Sequence, residues 1–193
     1  MNFCSVCGHR VTQVIPEGDN RVRSVCSHCG AIHYENPKII VGTIPEWEGR
    51  ILLCKRAIEP RMGYWTIPAG FMENGESTAE AAMRETLEES GASVMVKQLF
   101  SLMSLPDYDE VHLFFQAQLV EPTFAAGEES LEVKLFHPED IPWKDLAFST
   151  VYHALRFYIQ DQQAGQIRHY VGKIYNKNFY NEFGQEIATY PRP

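Results

Sequence analysis

The chain has 193 residues, of which 45% are apolar, 12% aromatic and 22% charged. These proportions suit a medium globular domain with a small attachment and exclude wholesale disorder. The 17 Lys and Arg against 25 Asp and Glu leave a net charge of −8, which disfavours sequence-independent nucleic-acid binding. An anionic substrate would have to be drawn in by something other than net charge, most simply a bound cation. No apolar run reaches the roughly 18–20 residues of a membrane span. Met1–Ser5 shows no basic start followed by an apolar stretch, so a cytoplasmic location without membrane association is expected.

Residues 1–36 hold four of the five cysteines, many turn formers and too few apolar residues for a core of their own. Beyond them, Lys38–Ile44 reads as a strand, Pro45–Gly49 as a turn and Arg50–Arg56 as a second strand. A Pro/Gly-rich stretch follows over 60–75. The strongest helix signal covers 77–90, with Ser77 or Thr78 as N-cap and Gly91 as the C-terminal glycine. Strands are expected near 93–103, 111–120 and 131–136, and an amphipathic helix over 148–163. The tail, 166–193, is rich in Tyr, Asn and Phe and reads as an extension with at most a short strand.

On the 77–90 helix, successive residues advance about 100°. Glu85, Glu88 and Glu89 then share an arc of roughly 100°, largely distinct from the apolar stripe of Ala79, Ala82, Met83 and Thr86. The helix can dock on a core while aiming its acids outward. Three clustered carboxylates repel one another unless a hard divalent cation such as Mg2+ or Mn2+ draws them together. By themselves, acids at this spacing equally describe a solvated helix face.

The full run changes that balance. Gly70, five residues, Glu76, seven residues, Arg84-Glu85, two residues, Glu88-Glu89, one residue, Gly91 resembles the signature of the Nudix hydrolases. Thr86 and Ala92 depart from it, standing where a larger aliphatic is usual. The resemblance extends over roughly residues 37–145. It implies an α+β fold, an α/β/α sandwich of the Nudix type with a mixed sheet, and division into residues 1–36, 37–165 and 166–193. It also implies hydrolysis of a nucleoside diphosphate linked to another group. By that resemblance Glu85, Glu88 and Glu89 are ligands of Mg2+ or Mn2+, the Gly70 carbonyl completes the set, Glu76 supports the site and Arg84 orients Glu85. The general base is Glu85 or an acid of the Gly127–Glu132 loop, with Glu129 the chosen loop candidate. Arg56 and Arg61 are candidate phosphate contacts, equally suited to surface ion pairs. Trp65, Tyr64 and Phe71 flank the box, Trp65 as a core residue.

Cys4-x-x-Cys7 and Cys26-x-x-Cys29 each continue into glycine. Four thiolates at this spacing resemble a zinc ribbon, a closed structural site for Zn2+ that supplies folding energy rather than catalysis. His9, His28 and His33 lie nearby, but four thiolates leave them no vacancy. Cys54 reads as a small buried residue. The segment 1–36 balances Arg10, Arg21 and Arg23 against Glu17, Asp19 and Glu35, so no nucleic acid is expected as a partner.

A ribbon ahead of a Nudix domain also resembles the NADH pyrophosphatases, but Ser101–Tyr108 lacks their Ser-Gln-Pro-Trp-Pro-Phe-Pro-like motif. Asn36-Pro37-Lys38, Leu52–Arg56 and Glu129–Glu132 look more like the zinc-ribbon group that cleaves ADP-ribose and FAD. The expectation is therefore ADP-ribose hydrolysis, with FAD second and a homodimer by analogy. NADH, or a non-catalytic nucleotide- or RNA-binding protein, is the alternative.

Overall fold

The computed structural model describes residues 1–191. The chain divides into two compact units, residues 1–37 and residue 38 onward. In the first, β1 (Val11–Val14), β2 (Arg23–Cys26) and β3 (Ile32–His33) form a small antiparallel sheet in that order. Its buried residues are Cys4, Ser24 and Cys26, so no apolar core holds it together.

The second unit is built on ten strands. They are β4 (Lys38–Trp47), β5 (Arg50–Arg56), β6 (Trp65–Thr66), β7 (Ala69–Phe71), β8 (Val94–Leu105), β9 (Glu110–Leu119), β10 (Ser130–Phe136), β11 (Tyr170–Tyr175), β12 (Asn178–Asn181) and β13 (Glu186–Ala188). The order is β10-β5-β4-β9-β8-β11-β12-β13, with β6 beside β5 and β7 beside β4. Pairs β4–β9 and β8–β11 are parallel and the rest antiparallel, so the sheet is mixed.

Helices α1 (Thr78–Ser90) and α2 (Ser149–Ala164) cover the two faces. Neighbouring strand residues point to opposite sides. Val41 and Phe115 pack with Ala81 and Ala82 of α1, whereas Ile44 and Phe114 pack with Val151, Leu155 and Tyr158 of α2. This is the expected α/β/α sandwich. Trp65 joins the α2-side core, edge-on to Phe136, and Cys54 is buried, both as the sequence indicates.

Three local differences have physical causes. First, β4 runs through Pro45 to Trp47, and the turn is only Glu48-Gly49, both with positive φ, as a two-residue hairpin requires. Pro45 falls between the β7 ladder (Ile40–Gly42) and the β5 ladder (Glu46–Trp47), where its missing N–H breaks no bond to either strand. Second, Ser77 rather than Thr78 caps α1, within a capping box closed by the Glu80 side chain. Third, the tail contributes three strands instead of one. Asp161, fully buried in α2, accepts the Arg168 backbone N–H at 2.7 Å, its Nε–H at 2.8 Å and the Tyr170 hydroxyl at 2.8 Å. These bonds tie the helix end to β11, which then pairs with β8.

Candidate active site and zinc centre

The box begins where β7 lies against β4 and ends at Gly91, whose left-handed backbone closes α1. Arg84 is its hub. Its Nε and Nη2 donate to the two Glu76 oxygens at 2.6 and 3.0 Å, a bidentate pair. Its Nη1 donates to Glu85 at 2.7 Å and to Glu88 at 3.0 Å, and Nη2 also reaches the Phe71 carbonyl at 3.1 Å. One guanidinium thus fixes the loop to the helix. Its hydrogen bonds hold the Glu76 carboxyl below the usual carboxylate range.

Gly70 sits directly under Glu85. A Cβ there would lie 2.3 Å from Glu85 Oε2, so the missing side chain makes the space that the carboxylate fills. Burial raises the Glu85 carboxyl above its ordinary value; Arg84 opposes the rise, while Glu88 and Glu129 add to it.

Glu89 corrects the expectation that all three acids face outward. It is 6% exposed, and the Ala69 N–H donates to its Oε2 at 3.2 Å. Burial pushes its carboxyl up to about 8, with the Glu85 and Glu129 charges adding to the shift and Arg56 opposing it. The cause is a loop that closes over the end of α1. Ala125 N–H donates to the Ser90 carbonyl and Gly127 N–H to that of Glu89. A Cβ at Gly127 would stand 1.8 Å from the Glu88 carbonyl oxygen. That contact brings the exposed Glu129 near Glu85 and Glu89; its own carbonyl accepts from Ala57 N–H at 2.8 Å.

The two departures from the box pattern are both buried. The Thr86 hydroxyl donates to the Ala82 carbonyl at 2.7 Å and meets Thr43 of β4 at 2.7 Å. Ala92 packs with Leu52 and Val94. At position 86, then, a hydrogen bond links α1 to the sheet.

Arg56 Nε donates to the Pro60 carbonyl at 2.9 Å and its guanidinium lies over Phe148, near enough to Glu89 to act on its charge. Arg61 is exposed, with positive φ, and lies over Tyr64; no ion pair engages it among the described residues. Sequence reasoning missed the Ala69 N–H, the Phe71 carbonyl, Thr43 and Gly127, all of which act through backbone or through contacts between distant segments.

The donor set of Glu76, Glu85, Glu88, Glu89 and Glu129 is all oxygen, with Arg84 and Arg56 as neighbouring cations. That excess of negative charge fits a hard divalent cation. Glu88 is mostly exposed, held on one side by Arg84.

The four cysteines occupy two matching knuckles. Gly8 N–H donates to the Cys4 carbonyl and Gly30 N–H to that of Cys26; Cys4 N–H donates to His9 and Cys26 N–H to Ala31. The sulfurs of Cys4 and Cys29 are 3.7 Å apart, and Cys7 lies 3.5 and 3.4 Å from Cys26 and Cys29. Four converging sulfurs suit tetrahedral Zn2+.

The sandwich thus carries an acidic cluster on α1, and a four-cysteine unit precedes it in sequence. The family model for the NUDIX domain matches residues 38–155, and that for the Nudix N-terminal zinc ribbon matches residues 2–35. The chain belongs to the Nudix family. A crystal structure of a NUDIX hydrolase from Nitrosomonas europaea aligns at 49% identity with a TM-score of 0.88, covering 90% of this chain and 99% of that one. An ADP-ribose pyrophosphatase of Methanocaldococcus jannaschii is 34% identical over 113 residues, 56% of this chain and 67% of that protein. The NAD-capped RNA hydrolase NudC of Salmonella paratyphi C is 32% identical over 143 residues, 72% of this chain and 53% of that protein. The chain thus spans about half the length of the NAD-capped RNA hydrolase it matches.

Proposed function

We propose that this protein is a Mg2+- or Mn2+-dependent pyrophosphohydrolase that splits ADP-ribose into AMP and ribose 5-phosphate. The carrying observation is the seating of Glu85 and Glu89: one over Gly70, the other in a buried pocket under Ala69 N–H. Both carboxyls are raised above their ordinary values by burial, so a cation is the natural counter-charge.

Glu85, Glu88 and Glu89 would hold the ion, with the Gly70 carbonyl completing the donor set. The ion, when bound, neutralises the diphosphate, polarises phosphorus and lowers the pKa of the attacking water. Arg84 keeps Glu85 aimed while Glu76 anchors Arg84. Glu85 or Glu129 accepts the water proton. Arg56 and Arg61 offer guanidinium groups to the phosphates beyond the ion.

FAD is the second substrate by the same resemblance. Cleavage of NADH or of NAD-capped RNA is supported by the names of the NudC relatives; Ser101–Tyr108 and the balanced charge of residues 1–36 weigh against it. The five free cysteines support a reducing, cytoplasmic compartment, and family likeness supports a homodimer. The test is chromatographic product analysis with Mg2+ over ADP-ribose, FAD, NADH and an NAD-capped RNA. AMP and ribose 5-phosphate at the highest kcat/KM are expected from ADP-ribose. Release from none of the four would contradict the enzyme, and preference for NADH or capped RNA would replace the substrate.

A further inference from the structure

Two histidines stand beside the cysteine cluster without belonging to its four-sulfur set. His9 follows the first knuckle, and His28 lies inside the second, between Cys26 and Cys29. Both are exposed, and their rings stack 3.7 Å apart, 6° from parallel. A ring nitrogen of each and the Cys7 sulfur lie within 4.8 Å of one another. His9 Nδ1 is 3.2 Å from the Cys7 carbonyl. A carbonyl only accepts, so Nδ1–H is the donor, and Nε2 is the nitrogen left to face an ion. That is how metal-binding imidazoles are commonly fixed. His28 makes no side-chain hydrogen bond to the described residues. His33 differs: its Nε2 is 3.3 Å from Cys4 Sγ and its Nδ1 3.5 Å from Ser5 Oγ.

We propose that His9, His28 and the Cys7 thiolate form a second, open site for a borderline divalent cation, zinc foremost, on the outer side of the four-cysteine cluster. Imidazole and thiolate are the ligands such cations select. Cys7 also belongs to the closed cluster, so its sulfur is common to both sites. The rings stack nearly parallel, so shared binding of one ion at the roughly 2.0–2.1 Å of a zinc bond requires the side chains to turn out of the stack, which their exposure allows. Three protein ligands leave a fourth position to water, which marks an exchangeable ion rather than a structural one.

The untagged full chain is dialysed in Mg2+ against zinc buffered from nanomolar to tens of micromolar, and bound zinc is measured by elemental analysis. The wild type should hold one ion throughout and take up a further one in the micromolar range. The His9→Gln/His28→Gln double variant should keep the tight ion and its ADP-ribose turnover, and lose at least tenfold in affinity for the further ion. Zinc taken up by the box carboxylates is the same in both proteins, so the difference isolates the site. Identical uptake by the two proteins would overturn the proposal. So would a wild type that stops at one ion, or a variant that loses the tight ion.

Discussion

The Glu85 carboxylate rests on the Cα of Gly70 so closely that a Cβ would meet its Oε2 at 2.3 Å and its Cδ at 2.4 Å. Gly70→Ala must therefore push Glu85 off its seat. A displacement of about 1 Å at a reacting centre costs on the order of 100-fold. A fall of about that size in kcat/KM on ADP-ribose is expected, with an unchanged circular dichroism spectrum. Activity within threefold of wild type would mean that Glu85 needs no fixed seat.

Glu89→Gln separates function from stability. The amide keeps an acceptor for Ala69 N–H but cannot ionise, at a position only 6% exposed where burial already opposes the charged form. Burying a charge is costly where its partners are few. Turnover should drop at least about 1,000-fold while Tm rises by roughly 2–8 °C, the shift expected for about 1–2 kcal/mol at this chain length. A stable variant with near wild-type turnover would remove Glu89 from the site.

The first unit buries Cys4, Ser24 and Cys26 but no apolar cluster, so its folding energy has to come from the metal. One tightly held zinc per chain is expected. Cys26→Ser should release it and speed proteolysis within residues 1–37 at least tenfold, leaving the second unit intact. Elemental analysis finding iron, or no metal, would contradict the ribbon.

His153 predicts a pH dependence. It is fully buried in α2; Nε2–H donates to the Lys177 carbonyl at 2.7 Å, and Nδ1 has no partner. Burial lowers its pKa below the ordinary 6.5, with Arg156 adding to the shift. The unfolded chain then binds the proton that the folded chain refuses. Stability is full above about pH 6.5 and is lost as pH falls toward the folded value. The loss is at most about 1.4 kcal/mol per pH unit, or roughly 2–6 °C in Tm. Thermal melts of wild type and His153→Gln between about pH 7.5 and 5.5 should diverge, the wild type falling faster. Parallel profiles would place a proton on His153 in the folded state.

The helix carrying the box is legible in sequence because its signals are local: Ser77 and Glu80 at one end, Gly91 at the other. The cysteine knuckles are local too. The burial of Glu89 is not. Helical geometry alone aims it outward, and a loop from forty residues further on covers it through Gly127. By the family resemblance Arg84 reads as the group that orients Glu85, to which it does donate, yet its bidentate bond is to Glu76, which requires the loop to fold back. Strands β6 and β7 have two and three residues, too few for any periodicity to show. The C-terminal strands depend on Asp161, whose partners Arg168 and Tyr170 meet it only after α2 has turned back on the sheet.

Mn2+ binding followed by electron paramagnetic resonance, in wild type and in a Glu85→Gln/Glu89→Gln double variant, bears most directly on whether α1 grips a divalent ion. The wild type should remove Mn2+ from the free signal in proportion to protein, more tightly with ADP-ribose present. The double variant should lose at least tenfold in affinity and its response to ADP-ribose. Undiminished Mn2+ retention by that variant would mean the ion is held elsewhere.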